Sequence, residues 1–199
     1  MRFKPKSVSV ARNRQNIKSM KTISTFLAMG LLSLLAGGAA SAQTLKVGDA
    51  APDFSLQGSD GKTYKLSDFK GKQTVVVAWF PKAFTGGCTA ECKSFRESGK
   101  DIRKFDVAYF TASVDPVEGE KGNKAFAESL NVDFPILSDP TKDTAKAYGV
   151  LSERGFANRW TFYIGKDGKI LFIDDKVKAG SHGADVAAKL KELGVAEKK

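Results

Sequence analysis

The run TVVVAWF at residues 74–80 places seven apolar or β-favouring side chains in succession with no polar alternation. A half-exposed strand would alternate; an uninterrupted run describes a strand covered on both faces, as in a parallel sheet with helices packed on each side. Pro81 ends it, because proline has no N–H to give to a ladder. Residues 82–87, KAFTGG, follow with two glycines that free the backbone to turn sharply, and Thr85 is placed to cap a helix. From there Cys88, Cys92, Phe95 and Ile102, with Gly99 between, fall on one face at helical spacing. Cys88 therefore stands in the first turn of a helix that leaves a buried strand.

A thiol in that position meets backbone N–H groups that lack an intrahelical partner, and it lies at the positive end of the helix dipole. Both favour the thiolate, which makes Cys88 a candidate nucleophile at neutral pH. A free cysteine is also commonly a small buried hydrophobe. Position alone leaves both readings open.

The rest of the chain supplies the frame. Residues 54–56 and 62–66 flank a turn at Asp60-Gly61 and predict a β-hairpin, with a brief helical turn at Ser67 and Asp68. Gly61-Lys62-Thr63 looks like the end of a phosphate-binding loop, but the glycine needed five positions earlier is Leu56, so no nucleotide site is expected. A strand at 107–114, a helix at about 119–130, a short strand at 134–137 and a short helix at 141–148 continue a βαβ pattern. Residues 160–164 and 170–174 pair across Asp167-Gly168, and 184–193 repeats apolar residues at helical spacing. This order predicts an α/β chain resembling the thioredoxin-like fold: a central mixed sheet flanked by helices, with an N-terminal hairpin extension.

Upstream, residues 23–36 form an apolar stretch of signal-peptide length, too short for a comfortable membrane span, ending in Ala40-Ser41-Ala42, a small-residue cleavage pattern. Residues 1–42 are accordingly expected to be a signal region, with cleavage after Ala42, a start at Met20 and a periplasmic or secreted product; no stable membrane anchor is expected. Residues 1–42 carry seven of the 32 Lys and Arg and none of the 22 Asp and Glu, which leaves 25 basic against 22 acidic groups, or +3, in residues 43–199. The whole-chain charge of +10 thus gives no support to nucleic-acid binding. Residues 43–199 suffice for one domain with a substantial core.

Pro81, Thr85 and Cys88, spaced P-x3-T-x2-C, resemble the active-site motif of the peroxiredoxins. The resemblance continues in KVGDAAPDFSL from Lys46, in SVDPVEGEKGNKAFAESLNVDFPILSD from Ser113 and in NRWTFYIGKDGKI from Asn158, in the same order, and spans roughly residues 46–193. It implies a thiol-dependent peroxidase acting on hydrogen peroxide or organic hydroperoxides, without metal, haem or flavin, recycled by a thioredoxin-like or other dithiol reductant, as a monomer or dimer. It assigns Cys88 as the nucleophile, Thr85 and Arg159 as groups that orient and polarise the peroxide, and Pro81 as a shield against water. The chemistry asks for such groups: a thiolate attacking a peroxide pushes charge onto the departing oxygen, so donors must face the oxygens. An arginine is otherwise most often a surface ion-pair partner, and Pro81 is also a strand terminator.

Cys92 lies four residues after Cys88, which on a helix puts Cβ atoms about 5–6 Å apart. A disulfide needs about 3.5–4.5 Å, so the first turn must unwind before the sulfurs can join. The resemblance implies Cys92 as the resolving thiol and a redox-active Cys88–Cys92 disulfide. Relatives with both cysteines in this helix usually space them by five, and many have proline where Gly86 stands, so resolution by an external thiol stays open beside it. Two rival functions are a copper chaperone of the Sco type using Cys-x3-Cys, and a thiol–disulfide oxidoreductase, which normally shows Cys-x2-Cys. The single histidine, His182, is expected as a surface or capping residue, and Trp79 as core; Phe84 is left open between pocket and surface.

Overall fold

The computed structural model describes residues 44–198 together with Met1, and the expected signal region and its cleavage point lie outside the described residues. Seven strands form one sheet: β1 (Ser55–Gly58), β2 (Thr63–Lys65), β3 (Thr74–Trp79), β4 (Val107–Ser113), β5 (Ile136–Ser138), β6 (Thr161–Ile164) and β7 (Ile170–Asp174). Their spatial order is β2-β1-β5-β4-β3-β6-β7. β3, β4 and β5 run parallel, while β6 pairs antiparallel with β3, β7 with β6, and the β1–β2 hairpin adds antiparallel to β5. The mixed sheet and the front hairpin expected from the sequence are both present.

Every residue of β3 is buried, as its unbroken apolar run requires. The pleat divides those residues, with the adjoining Phe80, between two cores. Val76, Ala78 and Phe80 face one core with α1 (Gly86–Glu97), α2 (Gly99–Ile102), α3 (Asn123–Leu130) and α5 (His182–Glu192), through Cys88, Cys92, Phe95, Ile102, Phe126, Val186 and Leu190. Val75, Val77 and Trp79 face the other, closed by α4 (Asp143–Ala147), the hairpin and the 3₁₀ turn Leu66–Phe69. Trp79 is core, as expected.

Two helices differ from expectation. The helix expected from Cys88 to Ile102 breaks at Ser98, where φ −90° and ψ 2° end α1 before Gly99 opens α2. Serine and glycine in succession are weak helix formers, so the chain bends there and both pieces keep an apolar face on the core. α3 begins at Asn123 rather than near Gly119, because the fully buried Asn123 amide turns inward to the Leu137 carbonyl (3.2 Å), Ser138 Oγ (2.8 Å) and Ser113 Oγ (3.0 Å). That amide ties together the C-terminal ends of β4 and β5.

The last helix is seated on α1 by a glycine. A Cβ on Gly183 would lie 2.2 Å from the Ser94 carbonyl oxygen, and the Gly183 N–H donates to Ser94 Oγ at 2.9 Å. Only a residue without a side chain lets the two backbones approach this closely. Gly183→Ala should therefore lift α5 from α1 and cost about 1–3 kcal/mol or more in urea unfolding. Gly86→Ala, where an added Cβ meets nothing within 4 Å, should be neutral or stabilising by up to about 1 kcal/mol. Equal stabilities for the two variants would contradict this packing.

Candidate active site

The parallel strands β3, β4 and β5 end on the same side of the sheet, and the loop after β3 crosses that edge. Open α/β sheets place their reactive groups at such edges. The loop is pinned from β4: the Ala83 N–H donates to Asp115 Oδ2 (2.8 Å), which also accepts from Ser113 Oγ (2.9 Å). Phe84 passes through a left-handed conformation, φ 60°, and rests its half-exposed ring on Phe126 with centroids 5.0 Å apart. Pro81 is half-buried at the exit of β3.

Thr85 has the extended backbone of a helix N-cap, φ −98° and ψ 151°, yet its side chain makes no capping hydrogen bond. Its hydroxyl donates instead to the Lys82 carbonyl at 2.9 Å. This corrects two expectations. The helix-start N–H groups of Gly87 and Cys88 are not taken by the Thr85 side chain, and helix geometry leaves such groups without an intrahelical partner. With its proton on the Lys82 carbonyl, the Thr85 hydroxyl can meet a further group in this conformation only as an acceptor, whereas the sequence reading took it as a donor.

Cys88 is the third residue of α1 and is only 1% exposed. Arg159, which precedes β6, donates from Nη2 to Cys88 Sγ at 3.3 Å. A residue 71 positions away thus brings a permanent positive charge to the sulfur, as the family pattern implied. The approach is close enough that a Cβ on Gly87 would meet Arg159 Nη2 at 3.2 Å. Gly87 therefore serves the arginine as well as the turn.

Arg159 is itself held. Its Nη1 pairs with Glu91 Oε2, and the other oxygen of Glu91 meets His182 Nδ1 at 2.7 Å. His182 Nε2 is 2.8 Å from Thr161 Oγ1 on β6. Glu91 is fully buried and His182 is 1% exposed, so His182 is neither a surface nor a simple capping residue and its expectation is corrected. Burial, with the charge of Arg159 as second cause, pushes the imidazole down to about 3. The Glu91 carboxylate acts the other way, but it is already matched by Arg159, and a proton on the ring would leave the sealed group with net positive charge. Burial and Arg159 thus both favour the neutral ring.

Sequence reasoning passed over Glu91 altogether. A signal existed: Glu91 is three residues from Cys88, a charged side chain set beside the apolar stripe Cys88, Cys92, Phe95, where only a paired charge can be buried. For His182 no comparable local signal exists, since its burial follows from the contact between Gly183 and α1.

Cys92 sits one turn after Cys88 in the same helix, is fully buried, and like Cys88 is a free thiol. Burial pushes its thiol up to about 12. The copper-chaperone reading loses its donors here, because both ring nitrogens of His182 are engaged and a guanidinium lies against Cys88. Among the described residues no group of three or more His, Cys, Asp or Glu is arranged to hold a metal.

Comparison with known proteins shows the family. Residues 47–173 match the model of the AhpC/TSA family. The peroxiredoxin Bcp of Bacillus subtilis is 35% identical over 157 residues, covering 75% of this chain and 98% of the relative. That of Escherichia coli is 37% identical over 155 residues, covering 74% and 97%. Among solved structures, the peroxidoxin BcpB of Mycobacterium tuberculosis is 31% identical with a TM-score of 0.66, covering 74% of this chain and 97% of that one. A PrxQ mutant of Xylella fastidiosa is 25% identical with a TM-score of 0.69, covering 76% and 99%. With its cysteine at the helix start, its arginine on the sulfur and a family match across the sheet that carries both, this chain belongs to the AhpC/TSA family of peroxiredoxins.

Proposed function

We propose that this chain is a thiol peroxidase that reduces hydrogen peroxide and organic hydroperoxides through Cys88. The observation that carries this is the Arg159 guanidinium 3.3 Å from Cys88 Sγ, in the first turn of a helix whose positive dipole end also favours a thiolate. The Cys88 thiolate attacks one oxygen of the peroxide. A sulfur–oxygen bond forms, the oxygen–oxygen bond breaks, and its electron pair leaves on the second oxygen, which takes a proton to become an alcohol, or water for hydrogen peroxide. Cys88 is left as a sulfenic acid. Arg159 and the N–H groups of Gly87 and Cys88 face the charge that builds on the oxygens, and the Thr85 oxygen accepts the peroxide's O–H.

In the second step the Cys92 thiol condenses with the sulfenic acid. The sulfur–sulfur bond forms, the Cys88 sulfur–oxygen bond breaks, and the hydroxyl leaves with the Cys92 proton as water. A thioredoxin-like dithiol then returns both cysteines to thiols by exchange, becoming a disulfide itself. The placement of both sulfurs on α1 supports this order with one condition: the first turn must unwind, because residues four apart on a helix stand too far apart to bond. The two glycines at its start, Gly86 and Gly87, lower the cost of that opening. The pattern of residues 20–42 supports export, with a processed chain beginning at Gln43 in the periplasm or the medium.

Cys88→Ser should abolish peroxide consumption, and turnover equal to the parent's would remove this function. Arg159→Lys keeps a charge but cannot serve sulfur and carboxylate together, and should lower the second-order rate about 100-fold in stopped-flow assays. Mass spectrometry after one equivalent of peroxide should find Cys88 and Cys92 linked; a lasting sulfenic acid on Cys88 beside a free Cys92 would assign resolution to an external thiol. The chain recovered from the producing cell should begin at Gln43 in the extracytoplasmic fraction, and an uncleaved cytosolic chain would overturn export.

A further inference from the structure

Arginine and carboxylate usually meet fork to fork, with two parallel N–H···O contacts. Arg159 does not. One of its terminal nitrogens goes to Glu91 Oε2 and the other to Cys88 Sγ, while Glu91 Oε1 is occupied by His182 Nδ1. We propose that His182 is a positioning residue of the peroxidase site: by occupying one oxygen of Glu91 it confines that carboxylate to a single nitrogen of Arg159, and so keeps Nη2 on the Cys88 sulfur. With that oxygen free, Glu91 would turn onto both guanidinium nitrogens and draw Nη2 away. This role rests on Cys88 being the reactive thiol.

Beyond Glu91, the ring is held for such a task from three directions. Thr161 Oγ1 on β6 meets Nε2 at 2.8 Å, and the Phe95 ring stands edge-on to the imidazole at 4.8 Å and 88°. Gly183 fixes the backbone against Ser94 through a 2.9 Å hydrogen bond. The charged groups that act on the imidazole are Glu91 on α1, in direct contact, and Arg159 before β6, while Asp185, one turn along α5, is drawn outward to Ser181 Oγ at 2.8 Å. An ionised carboxylate only accepts, so Nδ1 must carry the proton, Nε2 must be bare, and the Thr161 hydroxyl must donate to it. The role therefore requires one tautomer of a neutral ring, which the buried setting favours.

His182 is the chain's single histidine, so its state can be read directly in the reduced full-length protein labelled with ¹⁵N-histidine. At pH 7 the NMR signals should show a neutral ring with the proton on Nδ1. A proton on Nε2, or an imidazolium, would overturn the proposal. The second measurement is the iodoacetamide alkylation rate of Cys88 against pH in a Cys92→Ser background, with thermal unfolding alongside. His182→Asn places an amide donor near the Nδ1 position and should keep the rate within about twofold. His182→Gln puts its amide near Nε2, and His182→Leu has none; both should slow alkylation at pH 7 about tenfold and move its rise to higher pH, the loss expected when a charge-assisted contact is redirected. A folded His182→Leu protein with the parent profile would refute the role. Should that variant not fold, equal profiles for the Asn and Gln variants refute it instead. Because alkylation involves no peroxide, this outcome is separable from a failure of the peroxidase function, which Cys88→Ser reports.

Discussion

The site depends on a charge that the fold has taken out of water. Glu91 is fully buried, and among the described residues the groups that match its charge are Arg159 on one oxygen and His182 on the other. Burying an ion pair gains little net stability, because desolvation offsets most of the attraction; removing one partner, by contrast, leaves an unmatched charge at a cost of about 3–5 kcal/mol. The arrangement is therefore better understood as a device for fixing direction. A guanidinium tethered at Nη1 has its plane set, and the remaining nitrogen points where the sulfur is.

That tether joins three separate parts of the chain. Cys88 and Glu91 come from one helix, Arg159 from the residues before β6, and His182 from the start of α5. β3 is the common support: it pairs with β6 on one side, carries the loop into α1, and presents Val76, Ala78 and Phe80 to the core that contains both cysteines. Reactive groups mounted on a rigid strand–helix junction lose little freedom when substrate arrives, which is how positioning contributes to rate. The same rigidity opposes disulfide formation. Cys92 is packed in that core and burial raises its thiol pKa, so a disulfide between Cys88 and Cys92 would require a local opening of α1.

The fold was largely legible because its signals are local. The unbroken run at 74–80, the Asp60-Gly61 and Asp167-Gly168 turns, and the apolar periodicity of α1 and α5 each act within a few residues, and all recur as elements at about the expected places. The misplaced boundaries have tertiary causes: Asn123 begins α3 late because its amide is wanted between β4 and β5, and α1 stops at Ser98 so that both helical pieces follow the core. Of the site, helix position marked Cys88 only as a candidate; the resemblance pointed to Cys88 as the nucleophile and to Thr85, Arg159 and Pro81 beside it, and the structure brings Arg159 to the sulfur. Glu91 was missed, His182 was expected as a surface or capping residue, and Thr85 was expected to cap α1, whereas its hydroxyl bonds the Lys82 carbonyl.

The sequence by itself determined that a cysteine would open a helix at the edge of a buried sheet, since strand burial, a glycine turn and helix periodicity are properties of neighbouring residues. Only the tertiary structure decided what surrounds that sulfur. Arg159 and His182 are 71 and 94 residues away along the chain, and whether they meet Cys88 and Glu91 depends on strand pairing and on one glycine contact between helices, neither of which is written in any local pattern.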